Sequence, residues 1–332
     1  MRFKQYLLLA IMAFMATPAS ANQDVVTRYF CVFDPVGRTG DIYTTARDIA
    51  TDFLQLGVRL QLYPYSTESA AKSDFRSGLC DAMILTGFAA RNYNTFTTTA
   101  EAWGGLYDFE SAWLLLSTLA RPELAPLFSQ DGYEVAGIYP AGGLYAIMAD
   151  KTWTTPASVK GKPTFAVRDE PTGEAFAHKV GVNPVYGDTT NFAAKYVRRN
   201  VDITFSPSAV IPALELDRAM EERGGGLIDM PMAFLTLQII IRPENFPPGF
   251  AQTAREMSLG YYERIYELVN NAERKIDPYR IKLTDEESAQ WQDIAEQVRD
   301  DLAGEGIYDK RMLKLLKRIR CHTSPDRPEC QG

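Results

Sequence analysis

Three polar residues whose side chains can bind a solute lie in one short loop near the amino end of the chain. Asp34, Arg38 and Thr39 supply a carboxylate, a guanidinium and a hydroxyl within residues 34–40. Together these groups can hydrogen-bond a polar solute, and a guanidinium can hold a carboxylate with two parallel hydrogen bonds. The same residues also fit an ordinary turn with a surface ion pair, and for the loop alone both interpretations stay open.

The sequence carries none of the common catalytic motifs. It lacks a Gly-x-Ser-x-Gly nucleophile turn, a His-Glu-x-x-His helix and a phosphate loop ending in Gly-Lys-Ser/Thr. His178 and His322 are the only histidines, and His178 lies in the middle of a predicted helix, where a structural role is favoured. No two cysteines have the close spacing of a zinc site. We therefore expect a binding protein and not an enzyme, with no cofactor and no metal.

A predicted strand and a predicted helix position the loop. Residues 29–33 are aromatic and β-branched, as in a buried strand, and Asp34-Pro35 ends the strand because proline offers no amide donor. From Asp41 onward, apolar residues recur along one helical face, namely Ile42, Ala46, Ile49 and Phe53. The loop thus lies between the carboxyl end of a strand and the amino end of a helix, where open α/β sheets bind ligands.

A third predicted strand, at residues 81–86, brings two more candidates to the same edge. The order strand–helix–strand–helix–strand implies parallel strands with right-handed crossovers. If the first strand lies in the centre of this group, it neighbours the third. Thr86 and Phe88 then emerge beside Asp34, where they can contact the same ligand.

A second, shorter run of alternating strands and helices spans residues 155–208. Its strands end near Arg168 and Ser206, which supply a second guanidinium and a hydroxyl. Between the two runs, a predicted strand that ends at Tyr139 is interrupted at residues 140–143, which suggests a crossover between lobes. We expect Tyr139, Arg168 and Ser206 to complete a ligand-binding cleft with the first run.

The first residues have the pattern of a signal peptide. Arg2 and Lys4 precede an apolar run at residues 6–15 that is too short to span a bilayer, and Ala19-Ser20-Ala21 is a small-residue cleavage site. We expect cleavage after residue 21, no lipid anchor, because no cysteine follows that site, and an exported mature chain without a stable membrane anchor.

Charge and length bound the remaining possibilities. Removal of Arg2 and Lys4 takes the formal net charge from −7 to −9, which disfavours nucleic acid as a partner. The chain of 332 residues is too long for one simple core and suits two lobes. We predict a first lobe at residues 22–137 plus 240–332 and a second lobe at residues 138–239.

Four cysteines remain in the exported chain, and an even number in an oxidising compartment suggests disulfides. Three pairings are possible. Cys31 and Cys80 lie near the starts of strands that are predicted to be neighbours, so we favour a bond between them. The pair Cys321–Cys330 then follows by exclusion.

The layout as a whole resembles the periplasmic solute-binding proteins of TRAP transporters. More closely it resembles the AdeT-type solute-binding proteins, some of which are described as components of efflux pumps. The resemblance covers nearly the whole mature chain, and the stretches that carry it are CVFDPVGRTGD (31–41), FRSGLCDA (75–82), VKG (159–161), VGVNPV (180–185), NVDI (200–203) and FPPG (246–249).

This resemblance implies an α/β, two-lobed, type II-like periplasmic-binding-protein fold with an interlobe cleft and carboxyl-terminal helices. It implies a periplasmic monomer that captures a small polar or anionic solute and delivers it to membrane transporter subunits. An accessory role in an efflux or envelope complex is the alternative, and a periplasmic enzyme on the same fold is a third possibility. TRAP-type proteins usually carry a carboxylate-binding arginine in the second-lobe strand, where this chain has Ala166, with Arg168 two residues later.

Overall fold

The computed structural model describes residues 25–168 and 170–331, and the predicted signal peptide at residues 1–21 lies outside them. Within the described part, eleven strands form one hydrogen-bonded sheet. The strands are Val26–Phe33 (β1), Val58–Tyr65 (β2), Ala82–Thr86 (β3), Ser129–Gln130 (β4), Tyr133–Met148 (β5), Pro163–Val167 (β6), Asn183–Gly187 (β7), Ile203–Pro207 (β8), Gly226–Ile228 (β9), Ala233–Ile241 (β10) and Arg280–Ile281 (β11).

The α-helices alternate with the strands in both runs and then dominate the carboxyl-terminal part. They are Asp41–Phe53 (α1), Glu68–Arg76 (α2), Gly87–Ala90 (α3), Thr95–Thr98 (α4), Phe109–Leu119 (α5), Pro171–Val180 (α6), Phe192–Val197 (α7), Leu216–Arg223 (α8), Phe250–Ser258 (α9), Tyr262–Ile276 (α10), Asp285–Gly304 (α11) and Lys310–Thr323 (α12). None of the helices in the described ranges is long and apolar enough to cross a membrane.

The strand order confirms the predicted centre of the first run. The main path is β2-β1-β3-β10-β5-β8-β6-β7, with β1 parallel to both β2 and β3. β10 and β5 are antiparallel to each other and join the first run to the second, in which β6 is parallel to β7 and β8. The two runs therefore share one sheet path, while the predicted lobe boundaries stay a prediction.

The predicted interruption at residues 140–143 is wrong, because β5 continues through it. Between β5 and β10 the register shifts where Leu235 pairs with Gly142 and Thr236 pairs with Pro140, so that Ala141 has no partner. This is a β-bulge, which bends a strand without ending it. Gly142 has a φ of +92°, a conformation that glycine adopts at little cost.

The pattern at residues 249–274 predicts one long helix, whereas the structure has two. α9 and α10 are separated by a 3-10 turn at Leu259–Tyr261. Gly260 lies inside that turn, and a glycine weakens a helix interior by about 1 kcal/mol relative to alanine. Residues 284–287 have the Thr-x-x-Glu pattern that predicts a capping box, and the structure confirms it: Thr284 accepts from the amide of Glu287, whose carboxylate accepts from the amide of Thr284.

Both faces of β1 at residues 30–33 and of β3 at residues 82–85 are buried, which explains the uninterrupted apolar residues there. Cys31 and Phe33 of β1 pack into one cluster, and Phe30 and Val32 pack into another cluster on the other face. Parallel strands that are covered on both faces have this composition. Packing on both faces therefore fixes the position of the carboxyl end of β1, where the loop that carries Asp34 begins.

The structure contains both predicted disulfides. Cys31 of β1 is bonded to Cys80, which lies two residues before β3, and their Cα atoms are 5.9 Å apart. Cys321, at the end of α12, is bonded to Cys330, with a Cα–Cα distance of 5.4 Å. The first bond joins the central strand of the first run to its neighbour within the core.

Candidate functional site

One large cavity, of about 1190 Å³, collects residues from both runs of the chain. We call its lining residues between positions 33 and 89 the amino-terminal wall, and those between positions 159 and 214 the central wall. β5, β10 and α10 supply most of the remaining surface, where β5 contributes Pro140, Ala141, Leu144, Ala146 and Met148. The carboxyl ends of β1 and β3 therefore meet those of β6 and β8 around a single space, as open α/β sheets do at their ligand sites.

Most of the lining is apolar, and its aromatic part forms a continuous cluster. Trp103 stacks on Phe176 with ring centroids 4.2 Å apart, and Phe88 and Phe205 lie 6.3 and 5.6 Å from Trp103. The indole Nε1 of Trp103 donates a 2.9 Å hydrogen bond to the carbonyl of Thr172, so this ring is fixed in place. The cavity thus presents aromatic and aliphatic surface to a ligand, with few polar groups among it.

Asp34 organises the loop that joins β1 to α1. Its side chain is 1% exposed, and its carboxylate accepts hydrogen bonds from the amides of Val36 (2.8 Å) and Tyr43 (2.9 Å). Gly40 lies against it, because a Cβ at position 40 would be 2.1 Å from the carboxylate oxygens. Burial raises the pKa of Asp34, and the backbone hydrogen bonds oppose that shift. Asp34 lines the cavity with a carboxylate whose two oxygens are already used.

Arg38 and Thr39, from the same loop, are exposed and do not line the cavity. They lie in the 3-10 turn Gly37–Thr39, beyond the point at which Asp34 turns the chain back toward α1. The sequence placed all three residues in one site because it shows only that they are close along the chain. The structure brings only Asp34 to the cavity.

Glu68, at the first position of α2, is the polar residue of the amino-terminal wall that the sequence did not single out. It is 5% exposed and lines the cavity. Its Oε1 accepts from the amide of Thr86 (2.9 Å) and from the hydroxyl of Thr86 (2.6 Å). Burial raises the pKa of Glu68, and the bonds from Thr86 oppose that shift. In the sequence, Glu68 follows the N-cap Thr67 and fits an ordinary helix start, so no local signal marks it.

A second buried glutamate, Glu101, supports the same loop from outside the cavity lining. Its Oε1 accepts from the amide of Gly87 (3.0 Å) and from the hydroxyl of Thr236 (2.8 Å), whereas Oε2 has no partner in the described part of the chain. Burial raises the pKa of Glu101 to about 7. Thr86 and Phe88, two of the predicted ligand-binding residues, line the cavity on a turn that two buried carboxylates hold.

Of the three predicted site residues that remain, Tyr139 and Arg168 line the cavity and Ser206 does not. Tyr139 is 2% exposed, lines the cavity and packs edge-to-face on Tyr261, with ring centroids 6.0 Å apart. Ser206 is fully buried, donates to the carbonyl of Pro207 (3.1 Å) and does not line the cavity. Arg168 lines the cavity but is exposed, with its guanidinium 6.0 Å from the ring centre of Tyr186.

The cavity lining carries charges of both signs, and the most deeply buried of them are acidic. Asp34 and Glu68 are almost completely buried, Glu170 is half-buried, and Asp41 and Asp188 are exposed. The basic residues that line it are half-buried or exposed, namely Lys72, Arg168, Arg274 and Lys275. Ala166, at the position where TRAP-type proteins usually carry an arginine, is 5% exposed and lines the cavity with a methyl group. The inner surface therefore carries carboxylates but no buried cation among the residues described.

The described ranges contain no cluster of histidine, cysteine, aspartate and glutamate side chains that could hold a metal ion. The acids of the cavity are instead held by backbone amides and threonine hydroxyls. This arrangement is suited to non-covalent binding of an organic molecule, in which apolar walls supply contact area and a few fixed polar groups orient the ligand.

Solved structures share this fold at low sequence identity. A TRAP periplasmic solute-binding protein from Desulfovibrio salexigens, with bound orotic acid, matches with a TM-score of 0.73 at 12% identity over 89% of this chain and 99% of that one. Another from Rhodoferax ferrireducens, with bound malonate, matches with a TM-score of 0.70 at 14% identity over 90% and 100% of the two chains. The fold is thus that of TRAP periplasmic solute-binding proteins.

Sequence comparison gives the family. A protein of Acinetobacter baumannii named "Probable solute-binding protein AdeT1" is 29% identical over 300 residues, which cover 90% of this chain and 98% of the relative. The family model described as "Solute-binding protein AdeT 1/2" matches residues 54–331, which include all of the central wall and half of the amino-terminal wall. The chain therefore belongs to the AdeT 1/2 family of solute-binding proteins.

Proposed function

We propose that this protein binds one small organic solute in the cavity between the amino-terminal and central walls and passes it to a membrane transporter. The observation that carries the proposal is the cavity itself, about 1190 Å³ in volume and lined by strand ends from both runs. Ligand sites of several hundred Å³ with mostly apolar walls and few polar groups are typical of small-molecule binding proteins.

Contacts between the two runs suggest how a ligand acts on the fold. Arg91, next to α3, forms an ion pair with Glu170, the N-cap of α6, at 3.6 Å. The hydrogen bond from Trp103 to Thr172 links the same two regions. A solute that contacts both walls stabilises the arrangement in which these contacts form, by its differential affinity for that state.

The cellular setting is part of the proposal. The predicted signal peptide and the two disulfides support export to an oxidising compartment, the periplasm. The proposed form is a monomer, and its proposed partner is a set of membrane transporter subunits. The family supports a binding role without catalysis, since solute-binding proteins release the molecule that they capture.

The test is to identify the small molecules that are bound to the purified protein. Mass spectrometry of small molecules released on denaturation should find one predominant organic compound in the wild-type protein. Ala141→Trp should lose it, because Ala141 lies at the unpaired bulge position of β5 and its side chain lines the cavity. Ala289→Trp is the matched control, since Ala289 is an exposed residue of α11 outside the lining.

The proposal fails if the same compounds, in the same amounts, come from the wild-type protein and Ala141→Trp. It also fails if none is found and none of a broad panel of solutes raises the melting temperature. In that case an accessory role in an envelope complex becomes the better account, and co-purification with envelope proteins is its test.

A further inference from the structure

The carboxylate of Glu68 is only half used by the protein. Oε1 accepts both hydrogen bonds from Thr86, whereas Oε2 has no hydrogen-bond partner among the described residues. Glu68 is 5% exposed, and it lines the cavity. Asp34 differs, because each of its oxygens accepts from a backbone amide. Glu68 is therefore the buried acid with an oxygen available to a ligand.

No basic side chain of the described residues forms an ion pair with Glu68, although the charge of Lys72 opposes the rise that burial causes in the pKa of Glu68. Lys72 lies one helical turn further along α2, but the two side chains form no ion pair, and Lys72 is half-buried. Oε2 of Glu68 is accessible from the cavity, and a largely buried carboxylate is stabilised by a hydrogen-bond donor or a cation placed against it. An unpaired carboxylate on the surface of a binding cavity therefore indicates a ligand that brings the missing positive charge.

The aromatic cluster favours the same kind of ligand. Phe88 is two residues after Thr86, the residue that holds Glu68, and its ring is 6.3 Å from that of Trp103. The face of an aromatic ring attracts a cation, and an indole does so most strongly. In the same cavity lining, Ala141, Ala166 and Phe205 offer small or apolar side chains to a hydrocarbon or aromatic body.

Building on the proposed function, we propose that the solute is an organic amine with an apolar body, whose ammonium group donates to Oε2 of Glu68. The apolar body fills the space against Phe88, Trp103 and the central wall. Glu68 then supplies the negative counter-charge of the ammonium group, and the ammonium group supplies the hydrogen-bond donor that Oε2 of Glu68 lacks.

An acidic ligand fits this interior less well. The carboxylates of Asp34 and Glu68 would repel it, and Ala166 offers no guanidinium. The four basic residues of the lining are half-buried or exposed, where ion pairs are weak and screened by salt. The solved relatives with bound orotic acid and malonate therefore show the fold of this site and not its ligand charge.

The test uses three probes with the same body and different head groups, namely phenylbutylamine, phenylbutanol and phenylbutanoate. Isothermal titration calorimetry at mildly alkaline pH should show that the wild-type protein binds the amine at least about tenfold more tightly than the other two, the scale of one charged hydrogen bond. Glu68→Gln should remove this preference while it changes the alcohol affinity by less than about threefold. Glu286→Gln, at an exposed position of α11, should behave as the wild-type protein does.

A second variant keeps the test decisive if Glu68→Gln does not fold. Lys72→Gln removes the cation next to Glu68 on a half-buried side chain, and it should raise the affinity for the amine and lower that for the acid. The inference is overturned if the acid binds more tightly than the amine, or if Glu68→Gln keeps the preference for the amine. Tight binding of the acid or alcohol that Ala141→Trp abolishes would leave the proposed function intact. Failure of all three probes to bind overturns the inference, whereas the proposed function is decided separately by the compounds released from the wild-type protein and Ala141→Trp.

Discussion

The two walls of the cavity hold their polar groups in different ways. In the amino-terminal wall, Asp34 and Glu68 are buried and fixed by backbone amides or by Thr86. A disulfide joins β1, which precedes Asp34, to Cys80 just before β3, which ends at Thr86. In the central wall, β6 presents Ala166, and Arg168 is exposed beyond the end of the strand. Glu170 of this wall is half-buried and is held by Thr172, Gly173 and Arg91. Fixed, desolvated groups discriminate between ligands, whereas exposed charges on a rim contribute mainly to encounter. We infer that the amino-terminal wall selects the solute and the central wall closes on it.

The largest expected effect comes from the disulfide of the amino-terminal wall. Cys31→Ser/Cys80→Ser should lower the free energy of unfolding by about 4 kcal/mol, since the bond closes a loop of 49 residues. Cys321→Ser/Cys330→Ser should cost less, about 3 kcal/mol, because its loop spans 9 residues. Denaturant unfolding of both variants measures the difference, and equal losses would contradict the assignment of the first bond as the main constraint on this wall.

Glu101, beneath the amino-terminal wall, should make stability depend on pH. Its pKa is raised by burial from 4.5 to about 7, so the folded state holds this proton more tightly than the unfolded state. The stabilisation is complete below the unfolded pKa and is lost as the pH rises through about 7, a change of about 3 kcal/mol.

Glu101→Gln is the variant that isolates this contribution. An amide keeps the acceptor for Gly87 and Thr236 but has no proton to lose. The fall in unfolding free energy between pH 5 and pH 8, measured by urea titration, should be smaller in the variant by about that amount. An identical fall in the two proteins would assign the pH dependence to other groups, such as Asp34 and Glu68, whose pKa values are also raised by burial.

Asp34→Asn should have the next largest effect on stability. Asparagine retains one acceptor oxygen, so one of the amides of Val36 and Tyr43 loses its partner, at a cost of about 1–3 kcal/mol. Asp41→Asn is the matched control in the same segment, since Asp41 is exposed. Thermal unfolding compares them, and a loss as large in the control as in Asp34→Asn would show that the loop does not depend on the buried carboxylate.

Arg168→Ala should have the smallest effect on stability. Its guanidinium is exposed and its cation–π distance to Tyr186 is 6.0 Å, an interaction that contributes less than about 1 kcal/mol at such a site. Arg198→Ala, at another exposed position of the second run, gives the reference. A loss of several kcal/mol on denaturant unfolding would show that the central wall is held by this charge.

Local patterns account for what the sequence predicted well. The strand that ends at Asp34-Pro35, the helix from Asp41 and the capping box at Thr284 depend on neighbours a few residues away, and each is present in the structure. The neighbouring positions of β1 and β3 followed from right-handed crossovers and led to the correct pairing of Cys31 with Cys80.

Long-range contacts explain the features of the site that could not be predicted from the sequence. The bulge at Ala141 exists only because β10 pairs with β5, and Glu101 owes its role to Thr236, which is 135 residues away. Glu68 fits an exposed helix start until Thr86 covers it. Arg38 and Ser206 were chosen as polar residues at strand ends, but strand direction alone does not say which side chain enters the cavity.

The contrast between the walls is tested most directly by one calorimetric comparison with the compound released from the wild-type protein. The account predicts that Glu68→Gln weakens binding of that compound at least about tenfold, the loss of one charged hydrogen bond. Arg168→Gln should change it by less than about threefold, as expected for an exposed charge. If Arg168→Gln caused the larger loss and Glu68→Gln left the affinity unchanged, the central wall would select the solute, and the account would be contradicted.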